Sequence, residues 1–254
     1  MGINLAIKKL LDFLVPNKKK PAFTSAVVLA GGSSQRLGGN STKQMLDVCG
    51  IPVVVRSLLA FERTPEINEI IVVAKSDELG LYEDFKKKYA ITKLKKAVAG
   101  GDTRQRSAAK GFSVISEKSR YVAIHDAARC LITPSEISAV CDAAYVYGAA
   151  TAASQVTDTV KLADKNGFIE KTVDRDRVWM AQTPQIFDTN VYRAALAVCE
   201  RDGVAVTDDN SMVEYINRPV KLVKCSKNNL KITTREDVER VRAMLNNSST
   251  EESK

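Results

Sequence analysis

Short apolar runs alternate with amphipathic stretches along most of this chain, and few folds accommodate that order. Residues 25–30, 69–74, 96–99, 121–125 and 149–154 are compact and apolar enough to be strands. Between them, 53–61, 79–89, 104–116 and 134–147 read as helices, the first following Pro52 and the last carrying Pro134 near its start. Strand, helix, strand in repetition predicts an α/β fold: a mostly parallel, Rossmann-like sheet with helices on both faces. Sheets of this kind hold ligands at the carboxyl ends of their strands. The segments after residue 30, after residue 99 and at 125–129 occupy that position.

The alternation breaks at Val156. Residues 159–163 and 168–173 look like two strands joined by Asp164-Lys165-Asn166-Gly167, and Asn-Gly is a strong hairpin signal. This protruding β-arm, about 156–178, has few residues able to build a core of its own. It can pack on a second subunit or dock on its own domain. Helices at 190–201, 209–217 and 235–245 and a strand at 220–224 complete a domain spanning 25–245.

Residues 1–24 stand apart from that domain. Ile3, Ile7, Leu10, Leu11 and Leu14 recur at helical spacing, Pro16 ends the helix, and Lys18, Lys19 and Lys20 make a basic linker. Lys8 and Lys9 interrupt the apolar stretch and no small-residue cleavage site follows, so the segment does not read as a signal peptide. It is expected to pack on the domain or on a partner. No apolar run approaches the length of a bilayer span, and no membrane partner is expected. The tail 246–254 is polar and expected to fray.

A formal net charge of +8 attracts phosphates, and five of the lysines lie in the first twenty residues. Aromatics make up only 6% and do not cluster with those lysines, so nucleic acid is not the expected partner. The five cysteines are odd in number and form no Cys-x-x-Cys pair, and His125 is the single histidine. Free thiols in a reducing compartment, the cytoplasm, are expected, and a protein-held zinc site is not.

The chemistry concentrates in the segment 29–44, Leu-Ala-Gly-Gly-Ser-Ser-Gln-Arg-Leu-Gly-Gly-Asn-Ser-Thr-Lys-Gln. Its small residues, Ala30, Gly31 and Gly32 first, let backbone N–H groups approach a polyphosphate and form an anion-binding nest. Arg36 and Lys43 add two cations. The spacing is neither that of a Walker A loop nor that of a dinucleotide-binding turn. An ordinary glycine-rich turn with solvated charges would read the same on this segment alone.

The loop resembles the A-G-G-x-x-x-R-(M/L)-G…K-Q signature of nucleotidyltransferases. Further motifs follow in order: Gly100-Gly101-Asp102-Thr103-Arg104-Gln105-Arg106-Ser107, His125-Asp126-Ala127-Ala128-Arg129, and Thr172-Val173-Asp174-Arg175 with Trp179. Gln182-Thr183-Pro184-Gln185, Thr207-Asp208-Asp209 and Asn229-Leu230-Lys231-Ile232-Thr233 complete the set. Together they are similar to the 2-C-methyl-D-erythritol 4-phosphate cytidylyltransferase family, from about residue 25 to 245. Ser34, Thr42, Cys130 and Asn228 depart from it, standing where glycine, proline, proline and aspartate are usual.

The resemblance implies attack of a substrate phosphate on the α-phosphorus of CTP, with pyrophosphate leaving. An anionic nucleophile needs no general base, which suits a chain with one histidine. Arg36 and Lys43 are then expected on the phosphates at the transition state. Arg175 and Lys231 are expected to hold the polyol phosphate, although on spacing alone Lys231 reads as a surface lysine. Gly101, Asp102 and Ser107 are expected to read cytosine, with Asp102 alternatively capping the helix that opens at Arg104. Asp126, Arg129, Thr159, Thr183 and Thr207 are expected around the polyol, with an Asp126–Arg129 ion pair as the plainer alternative for those two. The resemblance also implies Mg²⁺ carried mainly by the CTP phosphates, and a homodimer in which the arm brings Arg175 and Thr159 across an interface. A ribitol-5-phosphate cytidylyltransferase is the nearest alternative, and a non-catalytic nucleotide-binding protein a more distant one. His125 is expected in the core or behind the site rather than in the chemistry.

Overall fold

The computed structural model describes residues 22–32 and 42–251. The expected N-terminal helix and most of the glycine-rich loop, Arg36 included, lie outside the described residues.

Strand β1 (Thr24–Leu29) is buried along its whole length. Its side chains alternate between two apolar layers: Ala26 and Val28 join one cluster, Val27 and Leu29 the other. β4 (Ile67–Ala74) does the same with Ile70 and Val72 against Ile71 and Val73. This is the two-faced burial that a continuous apolar strand demands. The helices α1 (Val53–Arg63) and α4 (Pro134–Tyr147) cover the first layer. The second lies under α3 (Arg104–Phe112), α5 (Thr189–Arg201) and α6 (Asp209–Tyr215). A short charged helix, α2 (Leu79–Lys88), packs Tyr82 into the first layer.

Seven strands form the sheet in the order β11-β7-β10-β6-β1-β4-β5, where β5 is Leu94–Ala99, β6 Tyr121–Asp126, β7 Ala149–Gln155, β10 Trp179–Asp188 and β11 Lys221–Lys224. All run in one direction except β10, which is antiparallel to both its neighbours, β6 and β7. The mostly parallel sheet is therefore as expected, and β10 is the strand that the apolar pattern does not announce. Pro184 and the polar Gln182, Thr183 and Gln185 break its apolar periodicity, and proline inside a run argues against a central strand. The ladder with β7 shifts register between Ala181 and Gln185, which is where those residues sit. Both sheet edges carry lysines, Lys95 and Lys96 on β5 and Lys221 and Lys224 on β11, which discourages edge-to-edge pairing.

Local signals set the ends of the helices that matter for the site. Thr133 and Glu136 form a reciprocal cap on α4, Pro134 follows, and Gly148 ends it at φ 85°. In the last turn of α3, a Cβ on Gly111 would lie 2.4 Å from Val27 Cγ1 and 2.6 Å from Val73 Cγ2. Only glycine lets the helix lie that close to the sheet, and this packing places Arg104 at the mouth of the sheet. The last helix, α7 (Arg235–Glu251), runs past residue 245, where its apolar contacts end, so the tail is helical further than its polar sequence suggests. Adding residues to a helix already nucleated is cheap. Val238, Val241 and Leu245 bury it against Ala128, Cys130 and Ile232 and against a two-residue hairpin, β2 (Asp47–Val48) and β3 (Ile51–Pro52), that sequence reading misses.

The arm is present: β8 (Val160–Ala163) pairs antiparallel with β9 (Ile169–Val173). Asp164 Oδ1 accepts from the N–H groups of Asn166 and Phe168, and Gly167 takes φ 87°. Leu162, Phe168 and Ile169 are exposed on it, Phe168 by 72%.

Candidate active site

At the carboxyl ends of β1, β5 and β6 the chain opens into a cleft of about 370 Å³. Gly31 and Gly32 form one wall, Gly101, Asp102 and Ser107 the opposite one, and Lys43 and Lys231 reach in from two separate segments. Ala30 itself lies beneath the cleft: it is fully buried and its N–H donates to Val73 O at 2.7 Å. Gly31 passes close over β4, since a Cβ there would touch the Ala74 backbone at 3.4 Å.

The loop 100–103 is shaped by its own side chains. Ser107 Oγ accepts from Gly101 N–H at 3.0 Å and donates to Gly101 O at 3.3 Å. A Cβ on Gly101 would lie 2.6 Å from Arg106 Cβ, so the close approach requires glycine. Thr103, not Asp102, caps α3 by accepting from Arg106 N–H. Asp102 instead pairs with Arg106 at 2.6 Å, with both side chains mostly in water, an ion pair worth little to stability. Asp102 thus keeps its place on the cleft wall without the capping role considered for it.

A second compartment of about 270 Å³ adjoins the first and shares Arg104, Asp126 and Lys231 with it. Arg129, Thr183 and Thr207 line it. Asp126 does not pair with Arg129. Its Oδ2 takes Lys231 Nζ at 2.7 Å and its Oδ1 takes Arg104 Nε at 3.1 Å. Arg129 spends its guanidinium on two carbonyls, Asn229 O at 2.8 Å and Ala181 O at 3.4 Å, and thereby ties β10 to the segment that carries Lys231. Burial works against the charge on Asp126, but Arg104 and Lys231 outweigh it and hold the carboxyl well below the usual carboxylate range. Burial likewise opposes the charge on Arg104, and Asp209 and Asp126 reverse that and raise it.

Arg104 is the residue that sequence reading undervalued. It was legible only as the opening of a helix inside the Gly-Gly motif, whereas its side chain bridges Asp126 and Asp209, the latter at 2.5 Å. Gln185 and Asp208 are further wall residues that carry no expectation from the sequence beyond their motifs. Two expected residues are not brought into either compartment. Thr159 and Arg175 are exposed at the arm, and Arg175 Nη1 donates to Thr157 O at 3.0 Å. Within one chain neither residue lines either compartment. Arg36 lies outside the described residues.

A model of the family described as "IspD: 2-C-methyl-D-erythritol 4-phosphate cytidylyltransferase" matches residues 24–247. The chain belongs to this family. It is 41% identical to the 2-C-methyl-D-erythritol 4-phosphate cytidylyltransferase of Syntrophus aciditrophicus over 87% of this chain and 94% of that protein. It is 35% identical to the chloroplastic enzyme of the same name from Oryza sativa, over 89% of this chain and 76% of that one. The solved structure of 4-diphosphocytidyl-2C-methyl-D-erythritol synthase from Anaerococcus prevotii superposes with a TM-score of 0.80, at 30% identity, covering 89% of this chain and 97% of that one.

The family motif His125-Asp126 has its histidine behind the cleft, as expected. His125 is fully buried, its ring 4.9 Å from that of Phe61 and its Nδ1 3.0 Å from Thr183 Oγ1, which also accepts from Asp126 N–H. Burial pushes His125 down to about 3. The sign of the consequence is fixed: an unfolded chain protonates this ring near pH 6.5 and the folded one does not, so acid favours unfolding. Between pH about 6.5 and about 3, each unit of acidification should remove up to about 1.4 kcal/mol of stability. His125 is the only histidine, so no other histidine contributes in that window. Denaturant unfolding at pH 7.5 and pH 5.5 checks this. A loss of about 1 kcal/mol or more is expected, and equal stability at the two values contradicts a neutral buried ring.

Proposed function

We propose that the chain transfers CMP from CTP to 2-C-methyl-D-erythritol 4-phosphate. The products are pyrophosphate and 4-diphosphocytidyl-2-C-methyl-D-erythritol, a step of isoprenoid precursor synthesis by the non-mevalonate route. The observation that carries this reading is the pair of adjoining compartments, one walled by glycines and Ser107, the other by Thr183 and Thr207, with Asp126 and Lys231 common to both. Two substrates that must exchange a phosphoryl bond need that arrangement.

The nucleotide base lies against Gly101, Asp102 and Ser107, and its phosphates lie along Gly31 and Gly32. A phosphate oxygen of the polyol attacks the α-phosphorus. The new P–O bond forms as the bond to the β-phosphate breaks, and that electron pair leaves on pyrophosphate. Lys43 and Arg36 stabilise the charge moving onto the phosphates, and Lys231 holds the nucleophilic phosphate in line. Thr183, Thr207, Arg129 and Asp126 serve the polyol.

Magnesium suits this chemistry as a charge carrier on the triphosphate. Among the described residues no group of three His, Cys, Asp or Glu is placed to hold a metal, and both Asp126 and Asp102 are engaged by cations. The phosphate oxygens of CTP would therefore be its main ligands. The exposed Leu162, Phe168 and Ile169 support a homodimer that buries the arm and brings Arg175 and Thr159 to the partner's cleft. Five free cysteines, four of them buried, and no described helix long and apolar enough to cross a membrane support a cytoplasmic enzyme.

Ribitol 5-phosphate is the competing acceptor. CTP turnover measured with each of the two polyol phosphates tests the choice. Pyrophosphate release with 2-C-methyl-D-erythritol 4-phosphate is expected, and release only with ribitol 5-phosphate overturns the substrate while keeping the chemistry. CTP binding without release on either overturns the enzymatic reading.

A further inference from the structure

Asp126 presents no unengaged oxygen to a substrate, because Lys231 holds Oδ2 and Arg104 holds Oδ1. The two cations are not held alike. Arg104 leaves the first turn of α3 and is pinned at its far side by Asp209, whose side chain is 1% exposed. Asp209 is itself fixed: Tyr192 OH donates to its Oδ1 at 2.6 Å, and its N–H donates to Gln185 Oε1 at 3.0 Å. An arginine fork bridging two carboxylates is rigid. Lys231 is a point charge on a flexible stem, its side chain is 37% exposed, and Asp126 Oδ2 is its ion-pair partner. When a phosphate carrying up to two negative charges enters the shared cleft, it competes with a single carboxylate for Lys231, and the lysine is the member able to move.

We propose that Arg104 is a positioning residue for the polyol phosphate: it clamps one oxygen of Asp126 so that the other passes from Lys231 to a substrate hydroxyl when the substrate phosphate draws Lys231 away. Recognition of the phosphate and recognition of the hydroxyl are then one coupled event. A ligand with only one of the two groups cannot complete the exchange. The series of hydrogen bonds from Tyr192 through Asp209 and Arg104 is what keeps Asp126 in its rotamer after Lys231 has left. This inference rests on the polyol phosphate reading above.

A mutant cycle tests it. In Arg104→Gln the KM for the polyol phosphate should rise about tenfold or more while the KM for CTP changes less than about twofold, since the guanidinium acts through Asp126. Arg104→Lys should recover part of the affinity, as an ammonium keeps the charge but lacks the rigid planar fork that bridges the two carboxylates. Introduced into Asp126→Asn, the Arg104→Gln change should add less than about twofold, because the group it positions is already gone. If Arg104→Gln does not fold, Arg104→Lys and Asp126→Asn form the same cycle. Multiplicative effects in the double variant, or an equal rise in the KM for CTP, overturn the proposal. The wild-type comparison of polyol phosphates fails separately: should ribitol 5-phosphate prove the acceptor, the cycle is read on that substrate and Arg104 stands or falls on the same criteria.

Discussion

Replacing Lys43 with methionine is expected to lower kcat on the order of 10²–10³ while leaving the KM for CTP within a few-fold. The reasoning is electrostatic. The CTP triphosphate carries its charge in the ground state too, but displacement shifts that charge toward the leaving pyrophosphate. A cation placed in the cleft beside Gly31 and Gly32 gains most as that shift occurs. A donor aimed at developing charge in a partly dry site is worth about 3–4 kcal/mol of barrier. Steady-state kinetics with both substrates varied checks the split. A large rise in the KM for CTP at unchanged kcat would make Lys43 a ground-state binding residue and remove it from the chemistry.

The second large effect belongs to the scaffold. Phe61→Ala should cost about 3–5 kcal/mol, because the ring is fully buried on α1 and its removal leaves a cavity that α1 and β6 cannot close. For a chain of this size that is a fall in melting temperature of roughly 10 °C. The consequence reaches the cleft. Phe61 backs the His125 ring, and His125 meets the Thr183 hydroxyl that also accepts from Asp126 N–H. A looser ring therefore loosens one wall of the polyol compartment. Thermal melts and the KM for the polyol phosphate are the readouts, and a stability loss under about 1 kcal/mol would mean that the surroundings collapse onto the space.

Much of the scaffold could be read from residue patterns because burial on both faces leaves no choice of residue. Val27, Val28, Ile70 and Ile71 are apolar whichever way they point, and the loops between such runs fall at the strand ends where the cleft lies. β10 was hidden for the opposite reason. Its buried side chains include Gln182, Thr183 and Gln185, which find polar partners rather than fill an apolar layer: Gln182 Oε1 accepts from Asn229, Gln185 Nε2 donates to Asp208, and the Thr183 hydroxyl meets His125 Nδ1 and the Asp126 N–H. Sequence periodicity has no signature for that. The arm was legible because Asn166-Gly167 needs a positive φ, whereas the residues that it carries, Thr159 and Arg175, meet no substrate compartment within one chain.

The site divides the same way. Lys231 looked like a lysine at the end of a strand, and only the fold brings it to Asp126, more than a hundred positions away in the chain. Arg104 meets Asp126 and Asp209 from other parts of the chain, so its bridging role cannot be seen in the Gly100–Ser107 motif. Asp102 and Thr103 are both reasonable caps by composition, and the local backbone chose Thr103. Motif order identified the family, and long-range ion pairs decide what its side chains do.

Convergence of Lys43 and Lys231 on one reacting phosphorus atom is tested most directly by a crystal structure with a non-reacting CTP analogue and 2-C-methyl-D-erythritol 4-phosphate. The α-phosphate is expected beside Lys43, the polyol phosphate on Lys231, and a nucleophilic oxygen roughly 3–3.5 Å from the α-phosphorus. Triphosphate density outside this cleft, or the two lysines contacting phosphates that cannot approach each other, would contradict it.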